Sequence, residues 1–311
     1  MFCLFAGYTN LRSDMTAPEI HDSTKCNLGD TRYFSNVYKK EHIDYLLNFK
    51  IRDDDVFVVT YPKSGTIWTQ HILSLIYSKG YRNGTENVTS ENIVQCLELN
   101  RLNNDPAARP SPRLFTTHLP YSLVPQDLTK KGKVIYVTRN PKDVMTSMYH
   151  FIDLVSFKMK PNFETFMEIF LAGHYYPCLW FDHVREWYNN KKDLNILYIT
   201  YEDMILDLRS VVKQICTFLG RELDDTSLDI VAEKATFKEM TKDTRANKNS
   251  ISDTYSFFDS SKGKFMRKGT IGDWKNEMTV RQSERFDALF MEQMRDLQIN
   301  LIWDIPEKLT C

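Results

Sequence analysis

Three short apolar runs along the chain alternate with segments of helical periodicity. The runs lie near residues 55–61, 133–138 and 195–200 and are rich in Val, Ile and Tyr. Short apolar runs bounded by turn residues are typical of buried strands, and strands separated by helical segments favour a parallel sheet. The pattern predicts an α/β fold: one domain with a central parallel sheet flanked by helices.

The first apolar run leads directly into a segment that can bind an anion. Residues 56–59 (VFVV) are followed by 60–68 (TYPKSGTIW), and beyond Thr66 the apolar positions recur at helical spacing. A strand-to-helix turn offers free backbone N–H groups and the positive end of the helix dipole. Gly65 allows close approach of the backbone to a ligand, and Lys63 adds a positive charge. The segment predicts a phosphate or sulfate cradle; the alternative is an ordinary turn with a surface lysine.

This turn is not the standard P-loop of nucleotide-hydrolysing enzymes and kinases. That motif places a lysine directly after its second glycine, whereas here Lys63 precedes Gly65. The sequence also shows no clear strand that ends in an aspartate of the Walker B type. A P-loop-like small-molecule kinase therefore remains only an alternative.

Two further segments carry cations at places suited to phosphate binding. In 133–143 (KVIYVTRNPKD) a strand is followed by Arg139, whose planar guanidinium can bind two phosphate oxygens at once. The alternative for Arg139 is a structural ion pair. In 265–275 (FMRKGTIGDWK) Arg267 and Lys268 stand beside Gly269 in a segment that must bend. Alone, such a charge pair is often only a solvated surface.

Together these segments resemble the signatures of the cytosolic sulfotransferases, which use 3′-phosphoadenosine 5′-phosphosulfate (PAPS). The order Pro-Lys-Ser-Gly-Thr resembles the family's 5′-phosphosulfate loop, and the two cationic segments resemble its 3′-phosphate signatures. The resemblance covers roughly residues 35–300. It implies a PAPS-dependent sulfotransferase whose nucleotide site is similar to that of P-loop kinases. The runs SGTIWTQ and TTHLPY look closer to amine-type members than to phenol-sulfating ones.

The resemblance assigns catalytic roles to three residues. It implies that His118, in a loop of the form Thr-Thr-His-Leu-Pro, is the base; a histidine with a pKa of about 6.5 is largely free to accept a proton at neutral pH. It implies that Lys63 neutralises charge growing on the leaving phosphate oxygen and that Ser147 restrains this lysine until the acceptor binds. A catalytically silent nucleotide-binding protein would be expected to lack His118 or Lys63.

The resemblance also implies a set of cofactor contacts. Aromatic faces can stack on a purine, although aromatic residues at these spacings are more often part of a core. The implied 3′-phosphate binders are Arg139, Ser147, Phe265, Arg267, Lys268 and Gly269. The implied phosphosulfate and purine contacts are Lys63, Ser64, Gly65, Thr66, Ile67, Trp68, Tyr201, Thr236, Phe237 and Met240. No metal ligands stand at a sensible spacing, and sulfuryl transfer needs none.

The composition narrows the partners and the compartment. With 40 basic and 41 acidic residues among 311, nothing argues for binding nucleic acid or an anionic membrane. The six cysteines lack metal or redox spacing, which favours reduced thiols. The apolar residues 1–7 are too few for a signal peptide or a membrane span. We expect a cytoplasmic protein.

The organisation along the chain is simple. Residues 1–34 are mixed and without periodicity, so we expect a loosely ordered extension before a sulfotransferase domain at 35–311. The polar segment 243–264 has the length of a lid. The match to the family's Lys-x3-Thr-Val-x3-Glu dimerisation motif implies a homodimer through the segment Lys275 to Glu284, in place of an ordinary solvated turn and helix.

The resemblance implies that the acceptor is a small molecule: a phenol, an alcohol or an amine. The loop 100–112, with Tyr149 and Phe151, is expected to line an apolar pocket that selects by shape. Three positions depart from the family pattern. Thr116 replaces a lysine common in phenol-sulfating members, Ile67 replaces a second threonine, and Ala235 replaces a threonine that often contacts the cofactor. All three leave the central apparatus intact, so we expect an active enzyme.

Overall fold

The structure is a computed structural model that describes residues 40–81, 87–99, 105–154, 160–175, 177–249 and 259–305. The expected extension at 1–34 lies outside these residues, as do parts of the loop 100–112 and of the expected lid 243–264.

Five parallel strands form one sheet in the described part of the chain, in the order β2-β3-β1-β4-β5. The parallel sheet predicted from the apolar runs is confirmed, and its three predicted strands are β1, β4 and β5. The sequence did not reveal the other two. The strands are β1 (Val56–Thr60), β2 (Gln95–Cys96), β3 (Leu114–Thr117), β4 (Lys133–Thr138) and β5 (Ile196–Thr200).

Helices connect the strands and cover both faces of the sheet. They are α1 (Lys40–Leu47), α2 (Thr66–Tyr77), α3 (Ser90–Ile93), α4 (Pro141–Phe151), α5 (Phe163–Leu171), α6 (Trp180–Asn189), α7 (Tyr201–Leu206), α8 (Leu208–Leu219), α9 (Asp225–Lys234), α10 (Phe237–Lys242) and α11 (Val280–Met294). Short 3-10 turns lie at Pro106–Ala108, Tyr121–Leu123, Gln126–Thr129, Ile152–Leu154, Lys191–Asp193, Ser260–Lys262 and Asp273–Asn276. No helix in these ranges is both long and apolar enough to cross a bilayer.

The helices that start beside the sheet begin at strong local signals. Pro141 is the first residue of α4, and the side chain of Asn140 accepts a hydrogen bond from the Lys142 N–H. Thr200 and Asp203 form a capping box at the start of α7. α7 therefore begins directly after β5, and α4 begins after β4 with only Arg139 and Asn140 between them.

Alternate residues of each strand pack on opposite faces, because side chains of a strand point to opposite sides. In β1, Phe57 and Val59 join a cluster that includes residues of α1, α4, α5 and α6. Val56 and Val58 join a second cluster with residues of α2, α8 and α9. The sheet is thus covered on both faces, as is usual for parallel sheets.

The strand order places a crevice at the carboxyl end of β1. From β1, one neighbouring strand (β3) lies on one side and the next (β4) on the other. In open parallel sheets, ligands bind at such a point, outside the carboxyl ends of the strands. The fold therefore directs the search for a site to the residues that follow β1, β3, β4 and β5.

Candidate active site

The predicted site residues follow directly on the carboxyl ends of four strands. Each of these strands ends in a threonine, and His118, Arg139 and Tyr201 are the next residues after β3, β4 and β5. Lys63 lies in the turn after β1. Because parallel strands end at the same edge of a sheet, residues far apart in the sequence meet here.

The turn after β1 has the backbone of a ligand cradle. Gly65 has a φ of 108°, and a Cβ atom there would lie 3.1 Å from Cδ2 of Tyr201 and 3.2 Å from Cε of Met204. Lys63 has a φ of 72°, a left-handed conformation that is uncommon for non-glycine residues and is enriched at functional sites. Helix α2 begins at Thr66, so its amino-terminal end faces the cleft.

His118 is buried at the end of β3 and is tied to β1. Its Nδ1 lies 2.7 Å from the Thr60 carbonyl oxygen and 3.1 Å from the Thr60 Oγ1. Its backbone N–H donates to the Glu98 carboxylate. Burial lowers the pKa of His118 to about 3, so the ring is neutral at physiological pH. Residues 115–117, expected to belong to a loop, form β3 instead; the strand is short and half polar, which hid it from the pattern.

The ammonium of Lys63 lies among aromatic rings and other cations. Its Nζ is 4.1 Å from the ring centre of Phe151 and 4.8 Å from that of Phe265. Burial, followed by the charges of Arg139 and Arg267, lowers its pKa to about 7. An ammonium held in this way is poised for an incoming anion.

Arg139 spans the floor of the cleft. Its guanidinium donates to the carbonyl oxygens of Lys63, at 3.1 Å, and Thr270, at 3.2 Å, and its Cζ lies 4.0 Å from the ring centre of Tyr201. Within the described residues its buried Nε has no hydrogen-bond partner. A buried donor without a partner is costly, and an anionic ligand would satisfy it.

Two buried carboxylates hold the loops around Arg139 in place. Asp143 accepts hydrogen bonds from the Gly272 N–H at 2.8 Å and the Trp274 N–H at 2.9 Å, and burial raises its pKa. Glu202 accepts from the Asn140 N–H at 2.9 Å, and burial raises its pKa to about 7. The segment 265–275 is thereby fixed against α4.

The two cations of that segment surround a carboxylate. Arg267 and Lys268 both contact Asp273, whose pKa is lowered to about 2. Gly269 has a φ of 66°, and a Cβ atom there would lie 2.3 Å from the ring of Phe237. Only glycine lets the segment 265–275, called the clamp from here on, pass this close to the aromatic ring. The clamp can therefore bring two positive charges beside an aromatic pocket.

The aromatic part of the cleft lies between β5, α2 and α10. The rings of Trp68 and Tyr201 meet edge to face at 5.3 Å, and the Trp68 Nε1–H donates to the Ala235 carbonyl at 2.7 Å. Phe237 and Met240, in the first two turns of α10, line the same cleft. The backbone of Ala235, and not its side chain, makes the contact at this position.

Most of the predicted site residues line this one cleft. Ser64 and Thr236 do not: Ser64 is fully buried, and Thr236 caps α10 by accepting from the Glu239 N–H. Four further residues line it without having been predicted: Pro62, Met266, Thr270 and Asp273. All four lie inside the segments 60–68 and 265–275, so their position beside predicted site residues was the signal that could have identified them. The predicted residues that line the cleft are Lys63, Gly65, Thr66, Ile67, Trp68, His118, Arg139, Ser147, Tyr201, Phe237, Met240, Phe265, Arg267, Lys268 and Gly269.

The donor set of the cleft is that of an anion site. The described residues contain no group of three or more His, Cys, Asp and Glu side chains arranged to hold a metal ion. Cations, a helix amino terminus and aromatic faces together fit a nucleotide with phosphate or sulfate groups at both ends.

Comparison with known proteins agrees with this geometry. The family model described as "Sulfotransferase domain" matches residues 53–298. An amine sulfotransferase of the rabbit Oryctolagus cuniculus is 48% identical over 285 residues, covering 91% of this chain and 93% of that protein. The crystal structure of mouse sulfotransferase SULT7A1 complexed with PAP superposes with a TM-score of 0.70 at 32% identity, covering 84% of this chain and 91% of the mouse chain.

A more distant structure shows the same fold. Retinol dehydratase, in complex with androsterone and inactive cofactor PAP, has a TM-score of 0.75 at 24% identity, covering 84% of this chain and 86% of its own.

The residues 53–298 that the family model matches contain both cationic segments, the His118 strand end and the aromatic pocket. The chain therefore belongs to the sulfotransferase family.

Proposed function

We propose that this protein transfers a sulfuryl group from PAPS to a small amine or hydroxyl acceptor. The observation that carries the proposal is the convergence of Lys63, His118 and Arg139 at three adjacent strand ends, in one cleft with the cations of the 265–275 clamp. Family membership supplies the reaction class, and the cleft supplies groups for each part of the nucleotide.

Different residues of the cleft would bind different parts of the nucleotide. Arg139, Ser147 and Arg267 would hold the 3′-phosphate, which provides the anion that the buried Arg139 Nε requires. Trp68 and Phe237 would hold the purine. The turn at 63–67 and the amino-terminal end of α2 would receive the phosphosulfate. In the mouse SULT7A1 structure the bound molecule is PAP.

The chemistry would be an in-line transfer with His118 as base. The Nδ1 of His118 donates to the Thr60 carbonyl, so its Nε2 carries the lone pair that takes the proton from the acceptor O–H or N–H. As the acceptor oxygen or nitrogen bonds to sulfur, the bond between sulfur and the phosphate oxygen breaks and its electron pair goes to that oxygen. The Lys63 ammonium would stabilise the negative charge left there. The products are the sulfated acceptor and adenosine 3′,5′-bisphosphate (PAP).

An amine is the first acceptor class to test. The rabbit relative carries the name amine sulfotransferase. The position of the phenol-type lysine holds Thr116, which is buried and accepts from the Gln70 amide at 3.4 Å. A site without that cation next to His118 is better suited to a neutral or positively charged acceptor.

We also propose that the protein is a cytoplasmic homodimer with its catalytic domain at 35–311. The cysteine pattern supports the compartment. The motif Lys275 to Glu284 supports the dimer: Thr279 caps α11, and Val280, its first residue, is 75% exposed. Burial of this apolar side chain between two copies of the chain would favour their association.

A transfer assay with labelled PAPS tests the proposal. Purified protein is incubated with sulfur-labelled PAPS and matched panels of arylamines, phenols and steroid alcohols, with His118→Ala as the control. We expect labelled product from the amine panel, formed at least about a hundredfold more slowly by the control. Absence of product from every panel, or phosphoryl transfer from ATP, would overturn the proposal.

A further inference from the structure

We infer that Phe151 and Phe265 form an aromatic cage that positions the catalytic lysine, Lys63, by cation–π contact. The Lys63 Nζ lies 4.1 Å from the centre of one ring and 4.8 Å from the other. Both distances are within the range of about 6 Å for a favourable contact with a ring face. The two rings also meet edge to face at 5.4 Å, so the cage supports itself.

The electrostatic surroundings explain why the lysine needs such a cage. Arg139 and Arg267 both repel the ammonium, and His118, neutral through burial, adds no further positive charge. In the described part of the chain Lys63 forms no ion pair with a carboxylate. The negative ring faces are thus the main groups that favour a charged ammonium here. A carboxylate would hold the lysine more firmly but would compete with the sulfate for it.

The cage joins the two elements that would grip the 3′-phosphate. Phe151 is the last residue of α4, the helix that starts beside Arg139 and carries Ser147. Phe265 begins the clamp that carries Arg267 and is fixed to α4 through Asp143. The contact between the clamp and α4 therefore also holds the two rings of the cage together. Phosphate binding at one end of the cleft would place the lysine at the other end, a consequence that rests on the proposed function.

Fluorination of Phe151 tests the cage, because each fluorine weakens the negative ring face with little change of shape. Phe151 is replaced by phenylalanine with one, two or three ring fluorines, and single-turnover transfer is measured at saturating PAPS. We expect a graded decrease of about 2- to 30-fold, the range of a cation–π contact. The PAP dissociation constant should change less than the rate. Phe151→Leu, which removes the ring, should have the lowest transfer rate of the series. Phe151→Tyr, which keeps a ring, should recover part of the rate.

The pH profile gives a readout that a merely structural role would not move. The ring faces favour the protonated lysine, so weakening them lowers the pKa of Lys63 and moves the alkaline limb of the rate profile to lower pH. The charged groups that act on the Lys63 ammonium are Arg139 and Arg267. His118 stays neutral in this range because burial lowers its pKa to about 3. The control is the same fluorine series at Phe181, a buried ring that packs against Trp180 and Phe290.

A measurement without cofactor separates the cage from the proposed function. The Lys63 pKa is followed by NMR of the dimethylated amine in each fluorinated protein. A stepwise decrease at Phe151 with none at Phe181 supports the cage even if no acceptor is sulfated. The cage would be overturned if fluorination of Phe151 changed neither the Lys63 pKa nor the transfer rate. It would also be overturned if fluorination of Phe181 changed both equally.

Discussion

The Nδ1 of His118 lies 2.7 Å from the carbonyl oxygen of Thr60, the last residue of β1. A carbonyl oxygen can only accept a hydrogen bond, so Nδ1 carries the ring proton and the basic lone pair is on Nε2. The same strand end leads into the turn that carries Lys63. β1 therefore fixes both the tautomer of His118, the proposed base, and the start of the turn that we propose as the sulfate cradle.

Replacing His118 by alanine should abolish turnover while leaving the nucleotide site intact. The base acts on the acceptor, so we expect a decrease in kcat of about a hundred- to ten-thousand-fold. The affinity for PAP, measured by calorimetry, should change less than threefold. Activity within about threefold of the parent protein would remove His118 from the mechanism.

The buried neutral histidines should make the protein less stable in acid. Burial lowers the pKa of both His118 and His183 to about 3 from an ordinary value of 6.5. Below pH 6.5 the unfolded chain binds protons that the folded protein does not, so stability falls as the pH decreases from 6.5 towards 3. Each histidine contributes a slope of up to about 1.4 kcal/mol per pH unit.

Denaturant unfolding of His183→Gln across this range measures that contribution. The difference in unfolding free energy between parent and variant should decrease from pH 7 to pH 4. Glu202, with its raised pKa of about 7, changes the unfolding free energy in the opposite direction as the pH falls. Because parent and variant both contain Glu202, its contribution cancels in the difference. A pH-independent difference would show that folding does not lower the pKa of His183.

The sequence predicted the parts of the fold that a local pattern records. Continuous apolar runs identified β1, β4 and β5, and the turn chemistry placed Lys63 and Arg139 at strand ends. β3 escaped because two of its four residues are threonines, and β2 because it has only two residues. Strands as short as these two contain too few residues for an apolar pattern to be recognised.

Contacts between distant segments could not be predicted from the chain. The Asp143 carboxylate accepts from N–H groups of Gly272 and Trp274, about 130 residues away, and this bond seats the clamp. The position of the Lys63 ammonium over Phe151 likewise depends on how α4 packs. Such contacts depend on tertiary packing and produce no recognisable pattern in the sequence.

Removing either arginine of the nucleotide site should weaken cofactor binding. A charge-assisted contact of this kind contributes about 1.5–3 kcal/mol, so Arg139→Ala or Arg267→Ala should raise the PAP dissociation constant about 10- to 100-fold. ATP lacks the 3′-phosphate and should compete poorly with PAP. Arg209→Ala is the control, because Arg209 pairs with Asp225 and Asp229 on the surface. Equal competition by ATP and PAP would contradict the clamp assignment.

Lys63→Met should reduce transfer more than binding. In the proposed mechanism the ammonium meets charge that grows only as the sulfur–oxygen bond breaks. Such an interaction stabilises the transition state more than the ground state. We expect the single-turnover rate to decrease by two or more orders of magnitude, about 3 kcal/mol. Stopped-flow binding should show a smaller change in PAPS affinity, since the clamp remains. A variant that transfers normally once saturated would make Lys63 an anchor and not a catalyst.

Val280→Glu should convert the proposed homodimer into monomers without unfolding the protein. Val280 begins α11 and is 75% exposed, so a glutamate there costs the isolated chain little but would bury a charge in a dimer interface. Met291→Glu is the matched control, because Met291 is 63% exposed on the same helix and lies outside the segment Lys275 to Glu284. Sedimentation velocity should show a dimer for the parent protein and for Met291→Glu, and a monomer for Val280→Glu, with melting temperatures within a few degrees at low protein concentration. A parent protein that sediments as a monomer, or a dimer that survives in Val280→Glu, would remove this segment as the interface.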